Sequence, residues 1–480
     1  MSIVVLILIL SAQAGFPVAP AQAATITVTS KLDTADPGRC RLRDAITAAN
    51  TNTATGDCPA GTAGLDTINF SLGITCNLTP CTILLTSALP TVTQDLTING
   101  NNTIISGANS FRVFDLGAVT VNMSNLTIAN GNVPGNGGGI NMSDDSSTAG
   151  TTLSLNHVFF SNNHSNIGGA IFAPRGTLTV ASSNFSGNGA GSSGGAILGN
   201  ATLVVIDSTF SSNTAVGVGG AMYLLSIAII SGSTFSSNSA SSGGAIFIFQ
   251  NVGSATLTNV TISGNSAKNN GGGMLANVGT TILNNVTITV NTADSDNDGV
   301  GDGGGIFREV ATVQVQNSII AGNFDKGPGF ISSDCSGTFT SNGYNLIGRD
   351  VGCGGFVNGV NGDKVGSVIG IIDPLLGPLA DNGGTTQTHA LLPGSPALDA
   401  ANPLPPGSGG FACTGFDQRG IIRPQGSACD MGAYEDDSPA TPTPTGTSTP
   451  PSVTATATPT PTSTGIPSGE FHEFLPFIVR

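Results

Sequence analysis

The sequence predicts an all-β chain, a right-handed parallel β-helix with coils of about 25 residues. Three observations carry this. Phe160, Phe185, Phe210 and Phe235 stand 25 residues apart, each opening an F-S-x-N segment. Glycine-rich turns into an apolar residue follow in fixed phase, at Gly168-Gly169-Ala170-Ile171, Gly194-Gly195-Ala196-Ile197, Gly219-Gly220-Ala221-Met222 and Gly243-Gly244-Ala245-Ile246. Between these marks, runs such as Thr177-Leu178-Thr179-Val180 alternate polar and apolar residues with period two, as short strands do. A unit this small can bury its apolar face only against copies of itself. Propeller blades need about 40 to 45 residues, and sandwich strands do not recur in one phase, so the solenoid is favoured. The crossover rule for parallel strands makes it right-handed.

Each part of the coil then has a reason. Coils stacked about 4.8 Å apart place the four Phe rings on one another inside, with Ile262, Ile288 and Ile320 continuing the position. The closing residues Asn132, Asn163, Asn188, Asn213, Asn238, Asn265, Asn291 and Asn323 are predicted to form a ladder at one corner. Asn suits that place because it tolerates the left-handed region and its amide can bond the neighbouring coil. The paired glycines are predicted to supply positive φ at the next corner, a series that includes Gly138-Gly139, Gly272-Gly273 and Gly304-Gly305. Asn291 to Ile306 spans 15 residues where 9 is usual, so six extra residues bulge within 294–302. A second insertion, between Ile140 and Asn163, carries Asp144 and Asp145.

The flanks differ from the repeats. Ile3 to Leu10 is an apolar run, and Ala21-Gln22-Ala23 has the small-x-small pattern of a leader cleavage site, so residues 1–23 are expected to be a signal peptide. No Lys or Arg precedes Lys31, so the usual basic leader start is missing. Eight Cys fall into four local couples, 40–58, 76–81, 335–353 and 413–429, none with C-x-x-C spacing. Disulfides in an oxidising exterior fit them better than zinc. The expected organisation is a disulfide-bearing N-terminal cap at 24–85, β-helix repeats at 86–332, a C-terminal region at 333–435, a Pro/Thr-rich linker at 436–469 and an apolar tail at 470–480. The linker composition favours extended polyproline conformations and a semi-rigid spacer.

Composition narrows the function. Only 9% of residues are charged, Gly numbers 68 of 480, Trp is absent and the net charge is −15. A phosphate-backbone partner needs clustered Lys and Arg, so nucleic acid is excluded as a ligand. Scarcity of Lys, Glu and Arg argues against long amphipathic helices. No segment is long and apolar enough to predict a transmembrane span in the mature chain.

Several segments carry a family resemblance. Cys40-Arg41-Leu42-Arg43-Asp44-Ala45-Ile46, followed by Asp66-Thr67-Ile68-Asn69-Phe70, resembles the CSLREA domain at the start of many bacterial surface β-helix proteins. Arg41 and Asp44 replace its usual Ser and Glu. The F-x-x-N and G-G-A-I units resemble the repeats of polymorphic outer membrane proteins. Residues 373–435 resemble the choice-of-anchor Q domain, through Asp381-Asn382-Gly383-Gly384, Gln387-Thr388-His389-Ala390-Leu391, Asp417-Gln418-Arg419-Gly420 and Cys429-Asp430-Met431-Gly432-Ala433-Tyr434-Glu435. The resemblance implies an exported, cell-surface β-helix with no established catalytic or cofactor-binding residues. The resemblance leaves the function open; the expected role is non-catalytic adhesion or cell-envelope interaction, with extracellular glycans or surface proteins as partners.

The alternative is a secreted polysaccharide-active enzyme, a lyase or glycoside hydrolase on a pectin-lyase-like fold. Hydrolysis needs converging carboxylates, and lyase chemistry needs a cation and a base. Asp207 has Ser182 and Gly232 at the matching positions of adjacent coils, so it reads as a solvated strand-end residue. His157 and His164 read as surface residues, and His389 as a packing or hydrogen-bonding one. Catalytic residues are therefore not assigned. One metal site is expected. Asp294, Asp296, Asp298 and Asp302, with Gly299 at the sixth position of the run, space carboxylates as a loop around Ca2+ would. Gly305 at the twelfth position replaces the bidentate Glu, so a true EF-hand is not expected.

Overall fold

Each coil of the repeat pairs with its neighbours through parallel strands, with residues 25 apart in register. The computed structural model describes residues 23–77, 79–142, 150–327 and 333–437. Most of the expected leader, the Asp144–Asp145 insertion, most of the Pro/Thr-rich linker and the apolar tail lie outside the described residues. The described chain forms a parallel β-solenoid of about 10 turns of about 26 residues.

Four ladders run along it. On the long face, Thr177–Ala181 pairs with Thr202–Ile206, which pairs with Ala228–Ser231. On the Phe face, Asn184–Ser186, Thr209–Ser211 and Thr234–Ser236 pair in register, Phe185 on Phe210 on Phe235. A short face follows, with Gly189–Ser193, Thr214–Ala215 and Ser239–Ala240. A glycine face completes the coil, with Ile171–Ala173, Ile197–Gly199 and Met222–Leu224. Inward residues of the coils merge into one apolar core from Ile26 to Val365. The predicted ring stack is present. Centroids of Phe160, Phe185, Phe210 and Phe235 are separated by 4.5, 4.6 and 4.9 Å with planes within 10°.

The Asn ladder is present from Asn163 to Asn323, all buried. From Asn188 onward, each Oδ1 accepts from both nitrogens of the preceding Asn: Asn213 Oδ1 lies 3.0 Å from Asn188 N and 2.9 Å from Asn188 Nδ2. Each Nδ2 also donates to a carbonyl inside the turn, as Asn213 does to Phe185 O at 2.9 Å. Two expectations are corrected. Asn132 is exposed and off the ladder, because Ile128 pairs with Phe160, which puts Gly131 opposite Asn163. Gly131 N accordingly donates to Asn163 Oδ1 at 2.9 Å. The left-handed conformation also belongs not to the ladder Asn but to the residue before it, with φ 53° at Asn162, 66° at Gly187, 56° at Ser212 and 60° at Val290.

The paired glycines divide their roles. Gly219 has φ 66°, whereas Gly220 has an ordinary φ and no room for a side chain: a Cβ there would stand 2.1 Å from Gly244 O. A second ladder, of serines, was not foreseen. Ser183, Ser208 and Ser233 sit two residues before the Phe positions, and each hydroxyl accepts a backbone N–H from the preceding coil at 3.1 Å.

Both ends of the solenoid are elaborated. Strand Thr25–Val28 pairs in parallel with Asp66–Phe70, and the chain between them carries helix α1, Leu42–Thr51. This helix buries Leu42, Ala45, Ile46, Ala48 and Ala49 and ends at Asn52, φ 55°. All four expected disulfides form: Cys40–Cys58, Cys76–Cys81, Cys335–Cys353 and Cys413–Cys429. Residues 373–435 fold back along the solenoid, led by an antiparallel hairpin of Leu376–Ala380 and Thr388–Leu391. Their acidic and basic motif residues serve structure. Arg423, fully buried, donates to Glu435 Oε2, Asp430 O and Gly432 O, each at 2.8 Å, and the Arg419 guanidinium lies 3.7 Å over the Tyr434 ring.

Candidate functional site

The returning C-terminal region docks on the outward residues of the Phe face, and this docking builds a cleft. Strand side chains alternate, so the outward positions there face away from the core, and beside the cleft they are polar apart from Phe159. His389 Nε2 lies 2.8 Å from Ser263 Oγ, and its Nδ1 lies 2.7 Å from Gly377 O. A carbonyl can only accept, so Nδ1 carries the proton and Ser263 donates to Nε2. Burial lowers the His389 pKa, which keeps the ring neutral in this role. Gln418 is clamped likewise, accepting from Thr261 Oγ1 at 2.7 Å and donating to Thr234 Oγ1 and Thr386 Oγ1 at 2.8 Å each.

The hairpin turn, residues 381–387, bends through Gly383 and Gly384, φ 91° and 86°, and is pinned by Thr386 Oγ1 donating to Gly232 O at 2.8 Å. One coil further toward the N-terminus the turn stands clear of the solenoid. It leaves two adjoining cavities of about 380 and 280 Å³, both lined by Asn184, Thr209 and Thr385. Ser211, Ser236 and Asp381 complete one side, and His157, Phe159 and Asp207 the other. The Phe159 ring is 47% exposed, which leaves an apolar plate beside hydroxyl and amide groups.

Asp207 departs from its expected solvated state. It is half-buried, its backbone is left-handed at φ 49°, and its Oδ1 occupies the space a Cβ of Gly232 would need, 2.0 Å away. Burial raises its pKa. A carboxyl with a raised pKa is what a glycosidase acid requires. A second carboxylate must share its space, and here Asp381 lines the other cavity while no cavity described has two. Neither cleft cavity is lined by Lys or Arg. The cleft thus suits a ligand rich in hydroxyls and lacking negative charge.

The remaining predicted positions are placed as follows. His157 and His164 are exposed, as expected. Carboxylate oxygens of Asp294, Asp296 and Asp298 lie within 4.8 Å of one another, and Asp302 is not among them. The Asp302 backbone is tied to the adjoining coil, its N–H donating to Asn270 Oδ1 at 2.9 Å. Asp294 is buried and accepts from Asp298 N and Gly299 N, each at 3.0 Å. Sequence reasoning missed the cleft itself, because no local pattern announces contacts 126 to 184 residues apart.

No curated protein matches the chain. The family model of the Chlamydia polymorphic membrane protein repeat matches residues 157–174 and 232–248. Each match runs from the left-handed turn before the Phe strand, across the ladder Asn, to the glycine corner. The matched residues are those with stacking and ladder roles. Repeat and solenoid together fit a surface-associated β-helix protein.

Proposed function

We propose that this is an exported cell-surface β-helix protein that adheres by holding uncharged extracellular glycan in the cleft between the Phe face and residues 381–387. The carrying observation is the lining of that cleft: hydroxyl and amide groups, an exposed Phe159 ring, and carboxylates but no Lys or Arg. Carboxylates and amides accept and donate to sugar hydroxyls, and an aromatic plate packs against the apolar face of a pyranose. A uronate polymer would meet no compensating cation there, which weighs against the pectin-lyase-like alternative. A screen of the full chain against neutral and uronate glycans tests this. Neutral glycans retained without turnover support it, and cleavage of any glycan abolished by Asp207→Asn would replace it with the enzyme reading.

A second ligand is proposed for the inserted loop. Asp294, Asp296 and Asp298 gather their oxygens closely enough to hold one Ca2+, with ordering of the loop as its effect.

A further inference from the structure

We infer that export cleaves the chain between Ala23 and Ala24, and that the new α-amino group of Ala24, itself partly exposed, forms an ion pair with the buried carboxylate of Asp66. The inference rests on the export reading above. Ala24 follows directly on Ala21-Gln22-Ala23, and Ala23 is exposed. Both backbone polar groups of Ala24 are already fixed to the second coil. Its N lies 3.0 Å from Asp66 Oδ1, and its carbonyl accepts from Thr67 N at 2.8 Å. The first strand starts with the next residue, Thr25 paired to Thr67.

Among the described residues Asp66 has no counter-ion. It is 1% exposed. Its other donors are neutral: Thr62 N at 3.2 Å from Oδ1 and 3.0 Å from Oδ2, and Thr62 Oγ1 at 2.8 Å. Gly61 closes the site, since a Cβ there would stand 2.4 Å from Oδ2. A charge withdrawn from water this completely is costly until a cation reaches it. In the uncleaved chain, the Ala24 nitrogen is an amide and brings only a dipole.

Cleavage supplies the cation at the atom already in place. A leader-cleaving peptidase adds water across the Ala23–Ala24 bond: the hydroxyl goes to the Ala23 carbonyl carbon and the hydrogen to the Ala24 nitrogen. The amine then takes a proton from solvent. The amide hydrogen bond becomes a charge-assisted one, about twice as strong. Processing would therefore lock the first strand onto the solenoid. Sign follows from linkage: an α-amine whose pKa is raised in the folded state adds stability below its ordinary pKa of about 7.7–8.0, and that stability is lost as pH rises through the raised value.

The test takes full-length protein from outside the producing cell and reads its N-terminus by intact mass and sequencing. It then follows the pH dependence of α-amine acylation. Expected are Ala24 as first residue and an α-amino pKa raised by at least about one unit, a tenfold change in proton affinity. Asp66→Asn should return that pKa to its ordinary range. A chain that keeps Ala23 should melt lower below about pH 8, with the difference closing at higher pH. This comparison stands even where Asp66→Asn does not fold. A different first residue, or an α-amine titrating normally, overturns the inference and leaves export intact. Retention inside the cell with the leader uncut overturns both.

Discussion

Asn323 and Asp334 end the amide ladder with a change of chemistry: a single oxygen, Asp334 Oδ1, accepts from Asn323 N at 2.9 Å and from Asn323 Nδ2 at 3.1 Å. Seven Asn residues each accept from one neighbour and donate to the next; the last needs only an acceptor. A carboxylate fills that place, at the cost of burial.

That cost has a pH signature. Burial pushes Asp334 up to about 6. The folded state then holds a proton that the unfolded state releases near pH 3.8, so Asp334 favours folding at low pH and loses this contribution as pH rises through about 6. His389, held neutral with a lowered pKa, acts oppositely as pH falls, so the Asp334 contribution is best read by difference. Wild type minus Asp334→Asn should gain about 2 kcal/mol between pH 7.5 and 4.5 in urea unfolding. Parallel pH profiles would show that Asp334 stays ionised.

Phe210 lies between two parallel rings at 4.6 and 4.9 Å and is fully buried. Phe210→Ala should destabilise the solenoid by about 3 to 5 kcal/mol, through lost burial and the cavity between neighbours. Denaturant unfolding reads this directly, and a loss under about 1 kcal/mol would contradict the stack as the centre of the core.

Val290 is a β-branched residue held at φ 60°, while its counterparts before the ladder Asn in the adjacent coils are Gly264 and Gly322. Its side chain is 46% exposed, so little packing compensates. Val290→Gly should stabilise by about 1 kcal/mol, the scale of left-handed strain in an L-residue. A lower melting temperature for the variant would contradict this.

For the inserted loop, calorimetric titration should show weak Ca2+ binding, with a dissociation constant on the order of 10⁻⁴ to 10⁻³ M as in extracellular modules. Asp296→Ala with Asp298→Ala should remove it, whereas Asp302→Ala should not, because Asp302 stands outside the group of three. Absence of heat at 10 mM Ca2+, on the order of ten times the weakest such constant, would exclude the site.

How much of this was legible depended on distance along the chain. The Phe stack and the Asn ladder could be read because the 25-residue phase repeats the same residue types. Asn132 was misplaced because it was matched by residue type, while strand register assigns that position to Gly131. The two roles of the glycine pair look alike in sequence: one reflects φ and the other a carbonyl belonging to the next coil. Helix α1 is a local run that the chain-wide shortage of helix formers obscured. The docking of residues 373–435 joins residues far apart in sequence, through contacts such as His389 to Ser263 and the apolar cluster of Ile319 and Leu346 with Leu391 and Met431, which no periodicity encodes.

The cleft over Asn184 and Thr209 is the proposed adhesive site. Its most direct measurement is equilibrium binding of a neutral glycan selected by the full chain, compared with Thr209→Arg, which fills the space shared by both cavities from an outward position. We expect binding to fall at least about tenfold, a difference of about 1.4 kcal/mol, with melting unchanged. Undiminished binding by a folded Thr209→Arg chain would contradict the account.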